Sequence, residues 1–146
     1  MTAIDTHRLV LVAGDAMTTP ALGIAPDASV ATAWTLMTRH GVRHLLVLDQ
    51  QHCLGMVDDR TVFALWPLGP ARLRRKPVAD VMHAAVTCVR TDTELRDVAA
   101  AMIRECAGAL PVVDDDGRPI GIVTCSDVVA AVALSAGGHD DVRRRS

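Results

Sequence analysis

An internal repeat constrains this chain more than any other feature, because two copies of one pattern imply two copies of one structural unit. Gly14-Asp15-Ala16-Met17 returns as Ala79-Asp80-Val81-Met82, an offset of 65 residues. Two further pairs of segments match, residues 45–49 with 110–114 and, one residue later, 55–57 with 121–123. One unit of this size buries too little surface to be stable alone, so we expect two units that pack against each other.

The second copy shows which unit is repeated. Residues 86–89 are rich in β-branched side chains and predict a strand, and residues 91–94 offer a capped helix N-terminus. Apolar residues follow at the spacing of one helical face, namely Leu95, Val98, Ala99, Met102 and Ile103. The remaining predicted elements are a strand over 109–113, a hairpin turn over 114–117, a strand over 119–124, and a helix over 126–134 that Gly137-Gly138 stops.

The first copy predicts the same order, β-α-β-β-α. Its predicted elements are a strand near 22–25, a helix from Ser29 to about His40, strands near 44–48 and 54–57, and a short helix from about Asp59 to Trp66. We therefore expect a mixed α/β (α+β) fold in which two tandem β-α-β-β-α motifs pack with pseudo-two-fold symmetry. The expected boundaries are 8–66 for the first motif, 67–76 for a linker, 77–136 for the second motif and 137–146 for a flexible tail.

Charge and aromatic content argue against a nucleic-acid binder. The formal net charge is −2, and Trp34, Trp66 and Phe63 are the only aromatic residues, too few for the stacking platforms of a single-strand binder. The one dense basic run, at residues 72–76, is typical of a solvated linker. Nucleic-acid binding through that run is kept as a less favoured alternative.

The cysteines and the apolar runs indicate the cellular compartment in which the chain functions. Cys53, Cys88, Cys106 and Cys125 lack Cys-x-x-Cys spacing, so no metal site is predicted and the thiols are expected to be free. The first 20 residues carry charges, and no apolar stretch reaches the roughly 20 residues of a membrane helix. We therefore expect no signal peptide, no membrane association and a cytoplasmic location.

The repeated pattern can be compared with a known family. The second copy has Asp-Val-Met at 80–82, Ala-Leu-Pro-Val-Val-Asp-Asp-Asp-Gly at 109–117 and Gly-Ile-Val-Thr-Cys-Ser-Asp-Val-Val at 121–129. This pattern resembles the cystathionine-β-synthase (CBS) domain, and two tandem copies resemble a Bateman module. The resemblance covers about residues 8–136, which is nearly the whole chain.

The resemblance implies a regulatory module and not an enzyme, and the residues themselves show no catalytic set. Members of this family bind AMP, ADP, ATP or S-adenosylmethionine, sometimes with Mg²⁺, and they usually control another protein. It therefore implies an adenosine-type ligand, a role such as energy sensing, a separate regulated partner and a homodimer. Apolar residues of the closing helices could form the dimer surface or complete the core: Val62, Phe63, Trp66, Val128, Val129 and Val132.

The second copy carries the family's ribose and phosphate motif. Thr124, Ser126 and Asp127 lie where the third strand becomes the second helix, and each matches the motif at its position. Unpaired backbone N–H groups at a helix start favour a phosphate, hydroxyls can add donors, and a carboxylate can accept from ribose hydroxyls. The resemblance further places the adenine among Met82, Val86, Thr87, Gly108, Ala109 and Pro111.

A plainer interpretation of the same motif is kept beside this one. Ser and Thr before a helix are ordinary N-terminal caps, and an acid in the first turn is ordinary helix-dipole chemistry. On that interpretation the chain is a dimerisation and interaction platform that binds no ligand.

The first copy departs from the motif. Asp58 replaces the threonine, and Thr61 stands where the second copy has its aspartate. A carboxylate there repels a phosphate, although Arg60 could offset it, so we predict a degenerate first site and one occupied site per chain. His44 is assigned either to this first site or to an exposed strand end.

Overall fold

The computed structural model describes residues 10–145, which contain six α-helices and seven β-strands. The first half contains α1 (Ala13–Ala16), β1 (Gly23–Ile24), α2 (Val30–His40), β2 (His44–Asp49), β3 (His52–Asp58), α3 (Asp59–Leu65) and α4 (Pro70–Arg75). The second half contains β4 (His83–Ala84), β5 (Val89–Arg90), α5 (Leu95–Glu105), β6 (Ala109–Val113), β7 (Pro119–Thr124) and α6 (Cys125–Arg145). No helix of this described stretch combines the length and the apolar character needed to cross a membrane.

The strands form two small sheets of the same design. In the first sheet β1 pairs parallel with β2, and β2, β3 and β4 pair antiparallel in that order. In the second sheet β5 pairs parallel with β6, which pairs antiparallel with β7. The predicted α/β fold of two β-α-β-β-α units is confirmed.

The helices α2 and α5 each pack against the sheet of their own unit. In α2 the Ser29 hydroxyl caps the N-terminus by accepting from the Thr32 N–H at 3.1 Å, and Gly41 ends the helix with a φ of 64°. The prediction that Ile103 lies on the buried apolar face of α5 is wrong, since this residue is 79% exposed. At about 100° per residue, Ile103 lies about 140° around the helix from the buried Val98.

The two units exchange their leading segments. The short helix α1 begins the first copy along the chain, yet its Ala13 and Gly14 N–H groups donate to carbonyls of Thr93 and Thr91, each at 2.8 Å. Just beyond α1, Thr18 makes two backbone hydrogen bonds with Ile122 of β7. The first copy thereby contributes an edge to the second sheet.

The second copy in turn contributes its leading segment to the first unit. Val78 lies in a 3-10 turn over Val78–Asp80 and is fully buried in the core of the first unit. The strand β4 follows it and pairs with β3, so that Ala84 faces Gly55. The predicted boundaries follow the repeat along the chain and remain a prediction, whereas in space each unit is completed by the other.

A third apolar cluster joins the units. Each unit has its own core, and between the two sheets lies a separate buried group made of Leu46, Met56, Ala109 and Ile122. Leu45 and Leu46 are both fully buried, but Leu45 packs into the first core and Leu46 into the shared cluster. Adjacent strand residues point to opposite faces, so β2 serves both cores at once.

Two local expectations need correction. The linker contains a helix, α4, whose Leu73 is buried in the first core. The prediction that Gly137-Gly138 stops the last helix is also wrong, because α6 continues to Arg145. Two glycines cost a helix roughly 2 kcal/mol, which weakens it without forbidding it. The flexibility assigned to residues 137–146 stays a prediction.

Candidate functional site

The junction between β7 and α6 is built as a reciprocal cap. The Thr124 hydroxyl oxygen accepts from the Asp127 N–H at 3.1 Å, and the Asp127 carboxylate accepts from the Thr124 N–H at 3.0 Å. This pairing satisfies two backbone donors at the helix start. Both side chains are half-buried, and Ser126 beside them is exposed.

The exchanged segment adds a third residue to this junction. The Thr18 hydroxyl donates to the Asp127 carboxylate, with distances of 3.3 and 3.4 Å to its two oxygens. Thr18 lies 109 residues before Asp127 in the chain, and motif spacing gave no signal for it. Met17 accompanies it and packs against the second core.

The expectation of unpaired backbone donors at this helix start needs correction. The Cys125 N–H donates to the Gly108 carbonyl at 2.9 Å, in addition to the paired Thr124 and Asp127 N–H groups. The plain capping role is therefore present. An Asp127 carboxylate has about four acceptor positions, so the cap does not exhaust it.

The junction between β3 and α3 inverts this arrangement. Here the aspartate is the N-terminal cap, and the Asp58 carboxylate accepts from the Thr61 N–H at 2.8 Å. His83 occupies the place of Thr18 in the repeat, with its Nε2 3.3 Å from the Thr61 hydroxyl and 3.4 Å from the Asp58 carboxylate. Each junction thus combines one aspartate, one threonine and one polar side chain from the exchanged segment.

Opposing effects set the charge of Asp58. Burial raises the pKa of this carboxyl, but the hydrogen bonds from Thr61, together with the nearby His83 and His44, outweigh it and lower the pKa. Asp58 is therefore ionised at neutral pH, and it presents a negative charge at the position where the second junction has a neutral hydroxyl.

His44 lies between the two units. It faces Asp58 across the β2–β3 pair, and its Nε2 lies 3.3 Å from where a Cβ on Gly108 would be. The ring is half-buried, so the prediction of an exposed strand end is wrong. Burial lowers the pKa of His44, and the attraction of Asp58 and Asp59 only partly opposes this effect.

The residues assigned to an adenine wall do not all lie together. Val86 and Ala109 meet at the shared cluster, and Gly108 lies next to His44. Met82 packs against the first core, and Pro111 is fully buried within β6. Thr87 is half-buried, and its N–H lies 3.3 Å from the Glu105 carboxylate.

Two cavities lie away from these junctions. An apolar cavity of about 280 Å³ adjoins α2, α3 and α4 and is lined by residues that include Trp34, Trp66 and Arg74. A polar cavity of about 580 Å³ lies between the two hairpin turns, beside His52 and Arg118. Over residues 10–135, whose side chains the structure describes, no three His, Cys, Asp or Glu side chains converge as metal ligands.

Known proteins resemble this chain in both sequence and structure. A family model of the CBS domain matches residues 13–66 and 78–134. The CBS domain-containing protein YhcV of Bacillus subtilis is 30% identical over 114 residues, which cover 78% of this chain and 80% of YhcV. Inosine-5'-monophosphate dehydrogenase of Methanocaldococcus jannaschii is 30% identical over 139 residues, but this chain spans only 27% of that enzyme.

A solved structure matches over most of both chains. CBSX2, a CBS-pair protein of Arabidopsis thaliana, has been solved in complex with AMP. The complex is 32% identical to this chain, has a TM-score of 0.73, and the match covers 86% of this chain and 98% of CBSX2.

Proposed function

This chain belongs to the CBS-domain family, with two tandem copies, and from that premise we propose that it is a regulatory module that binds an adenosine-type ligand. The ligand class comprises AMP, ADP, ATP and S-adenosylmethionine, and binding takes place between the copies at the β7–α6 junction. The module performs no catalysis and modulates a separate partner protein in the cytoplasm. The AMP complex of CBSX2, 32% identical over most of this chain, supports this ligand class.

The observation that carries the proposal is the half-buried Asp127 carboxylate at that junction. Thr124 and Thr18 orient it, so ordering the side chain costs a ligand little. Ribose hydroxyls can donate to the acceptor positions that the cap leaves available, and the exposed Ser126 hydroxyl can donate to a phosphate. Since three of the neighbouring N–H groups are already paired, adenosine recognition contributes more than phosphate binding.

The first junction suits a phosphate less well. The ionised Asp58 at the cap repels an anion, and His83 and Arg60 compensate only in part. We therefore expect one ligand per chain, with the degenerate first site made of His44, Asp58 and Thr61.

Assembly belongs to the same proposal. In the first unit, Phe63 of the closing helix α3 and Trp66 of the 3-10 turn after it are 55% and 50% exposed. In the closing helix α6 of the second unit, Val129 and Val132 are 67% and 54% exposed. Val62 is buried and completes the core. Exposed apolar side chains on matching helices support a homodimer, whose geometry a ligand shifts only by its differential affinity for two arrangements.

A ligand-free interaction platform is the second candidate. The observation that favours it is that the Asp127 carboxylate already accepts hydrogen bonds from the Thr18 hydroxyl and the Thr124 N–H, which gives it a structural role. On this alternative the junction only fastens the exchanged segment, and the exposed helices provide the function. Nucleic-acid binding through residues 72–76 is a weaker candidate, since the net charge is −2.

Calorimetric titration separates the two main candidates. Nucleotide-stripped protein is titrated with AMP, ADP, ATP and S-adenosylmethionine, with and without Mg²⁺. We expect one of them to bind at about one per chain, and Asp127→Asn to weaken it about tenfold to a hundredfold, as expected for a hydrogen bond to a charged group.

Asp58→Asn is the matched control at the other junction, and it should leave the affinity of the second site unchanged. Two equivalent ligands per chain would refute the degenerate first site. Absence of binding by all four compounds, with the protein folded by circular dichroism, would establish the platform instead.

A further inference from the structure

All three aromatic residues of the chain meet on one face of the first unit. The ring of Trp34, in α2, lies edge-on to that of Phe63, in α3, with centroids 4.8 Å apart. The centroid of Trp66, in the 3-10 turn after α3, lies 5.4 Å from that of Trp34. Phe63 and Trp66 are about half exposed, so the bulkiest apolar side chains of the chain reach solvent at a single place.

The polar groups of this face are already satisfied within α2. Thr35 and Thr38 lie one and four residues after Trp34 and are exposed. The Thr38 hydroxyl donates to the carbonyls of Trp34 and Thr35 at 3.0 Å each, and the Thr35 hydroxyl donates to the Ala31 carbonyl at 3.1 Å. A hydroxyl whose proton is already donated costs less to remove from water than one without a partner. An apolar surface can therefore cover this aromatic face, which comprises Trp34, Thr35, Thr38, Phe63 and Trp66.

Smaller side chains occupy the corresponding positions of the second unit. The repeat aligns Trp34 with Ala99 at an offset of 65 residues. At the offset of 66 residues, the counterparts of the other two rings are Val129 and Val132, which are both exposed. Since the two units share one order of strands and helices, one methyl and two isopropyl groups leave a depression where the first unit has three rings.

One position has the opposite relation. Ile103 is the counterpart of Thr38 at the offset of 65 residues, and it is 79% exposed on α5. The second unit therefore projects a branched apolar side chain where the first has a short one. The apolar cavity of about 280 Å³ beside Trp34 and Trp66 offers room on the aromatic face for such a side chain. The aliphatic face of the second unit comprises Ala99, Ile103, Val129 and Val132.

We propose that two copies of the chain bind head to tail, with the aromatic face of each copy packed on the aliphatic face of the other. The rings of one copy then fill the depression over Ala99 of the other, and Ile103 of each copy lies against the aromatic face opposite it. A two-fold axis makes the two contacts identical, because residue i of one copy meets residue j of the other and the reverse. This inference rests on the proposed homodimer and adds its orientation and its contact residues.

A head-to-head dimer would instead pair like faces. Rings would meet rings at one contact and hold the copies apart, while the small residues of the two aliphatic faces would leave a void at the other. The cores of stable interfaces are packed as densely as protein interiors, so such a mismatch is unfavourable. Head-to-tail pairing places large side chains against small ones at both contacts.

Opposite charges on the two faces distinguish these orientations. Phe63→Lys places a cation on the aromatic face, and Val129→Glu places an anion on the aliphatic face. Sedimentation velocity over a range of protein concentrations gives the Kd of each dimer. We expect each single substitution to raise Kd about tenfold or more, because it buries a charge without a partner.

The double variant with both substitutions should bind about tenfold more tightly than the two single effects predict, because each introduced lysine faces an introduced glutamate. Below 0.1 M salt this attraction acts over more than about 10 Å, so the two charges need not touch. The gain should shrink as the salt concentration rises.

The matched control is the like-charged double variant, Phe63→Lys with Val129→Lys. It brings cations together in either orientation, so its dimer should be weaker than that of either single variant. A head-to-head dimer would treat the two double variants alike, since each would place like charges together at both contacts. Gln51→Lys, in the turn between β2 and β3, adds a charge away from both faces and should leave Kd unchanged. Thermal melts verify that every variant is folded.

Three results would overturn the inference, and they separate it from the homodimer itself. If both double variants dimerised equally weakly, the homodimer would stand and the head-to-tail orientation would be wrong. If the single substitutions left Kd unchanged, the dimer would use another surface. If the wild type were monomeric at every concentration, the homodimer would be refuted together with its orientation.

Discussion

At the scale of single residues, the two helix caps use the same two residue types in reversed positions. The second junction has threonine at the cap and Asp127 three residues later, and the first has Asp58 at the cap and Thr61 three residues later. The same two side-chain types therefore place one negative charge at different points of the two junctions. This difference could be predicted from the sequence, because aligning the repeats puts these residues opposite each other.

The third member of each junction could not be predicted in that way. Thr18 and His83 are counterparts in the repeat, but each reaches the junction of the other copy. Local spacing describes contacts within a unit, whereas these contacts depend on how the units trade their leading segments. The position of His44 beside Gly108 has the same origin.

The depressed pKa of His44 gives a pH prediction. Its folded-state pKa is below the ordinary value of 6.5, so the unfolded chain binds the proton more readily than the folded chain. The free energy of unfolding should therefore be highest above pH 6.5 and fall as the pH falls through 6.5 towards the folded-state pKa. The charged groups around the ring are Asp58, Asp59, Arg43 and Arg60.

Urea unfolding of the wild type and His44→Gln between pH 8 and pH 5 measures this effect. The wild type should lose more stability over that range than the variant, and the histidine NMR signal of residue 44 should titrate below 6.5. A parallel pH dependence in the two proteins would show that His44 makes no contribution.

At the scale of elements, the sequence predicted most strands and helices but missed α1, α4 and β4. It also placed the strand before α5 at residues 86–89, whereas β5 is Val89–Arg90. The strands over 44–48 and 109–113 and the helix from Ser29 to His40 agree with the structure because periodicity and caps are local signals. The pairing of β4 with β3 was not foreseen, since two exposed residues carry no periodic pattern. The end of α6 was also missed, because a glycine pair is a weak stop signal without a competing contact.

Gly55 is the position where the exchanged strand approaches most closely. A Cβ there would lie 2.3 Å from the His83 carbonyl oxygen, which is main chain and has no side-chain freedom to move aside. Gly55→Ala should therefore push β4 away from β3 and lower the free energy of unfolding by about 3 kcal/mol, at the upper end of overpacking costs. Urea denaturation of the purified variant measures this loss.

Gly41→Ala provides the matched control for this clash. Gly41 has a φ of 64° and no atom within 4 Å of a Cβ, so alanine there costs backbone strain of about 1 kcal/mol and no contact. If Gly55→Ala were no more destabilising than Gly41→Ala, the close pairing of β3 with β4 would be wrong.

At the scale of the whole molecule, the exchange and the shared cluster make one cooperative structure from two copies. Removing either copy would leave the other without an edge segment and without half of the cluster around Leu46 and Ile122. The repeat predicted that two units would pack together, because one unit alone buries too little surface. The symmetry of the repeat is compatible with several ways of packing two units. The exchange of leading segments could therefore be seen only in the structure.

Cooperativity of this kind has a direct test, because Trp34 and Trp66 both belong to the first unit. Tryptophan fluorescence therefore reports on that unit alone, whereas far-UV circular dichroism reports on both. We expect the two urea transitions to coincide.

Leu46→Ala, in the shared cluster, should lower the free energy of unfolding by about 2–5 kcal/mol and shift both signals together. Leu45→Ala, in the first core, should do the same, since neither unit can unfold alone. If either variant left a circular dichroism step at the wild-type midpoint while the fluorescence transition moved, the units would be independent and the exchanged segments would not couple them.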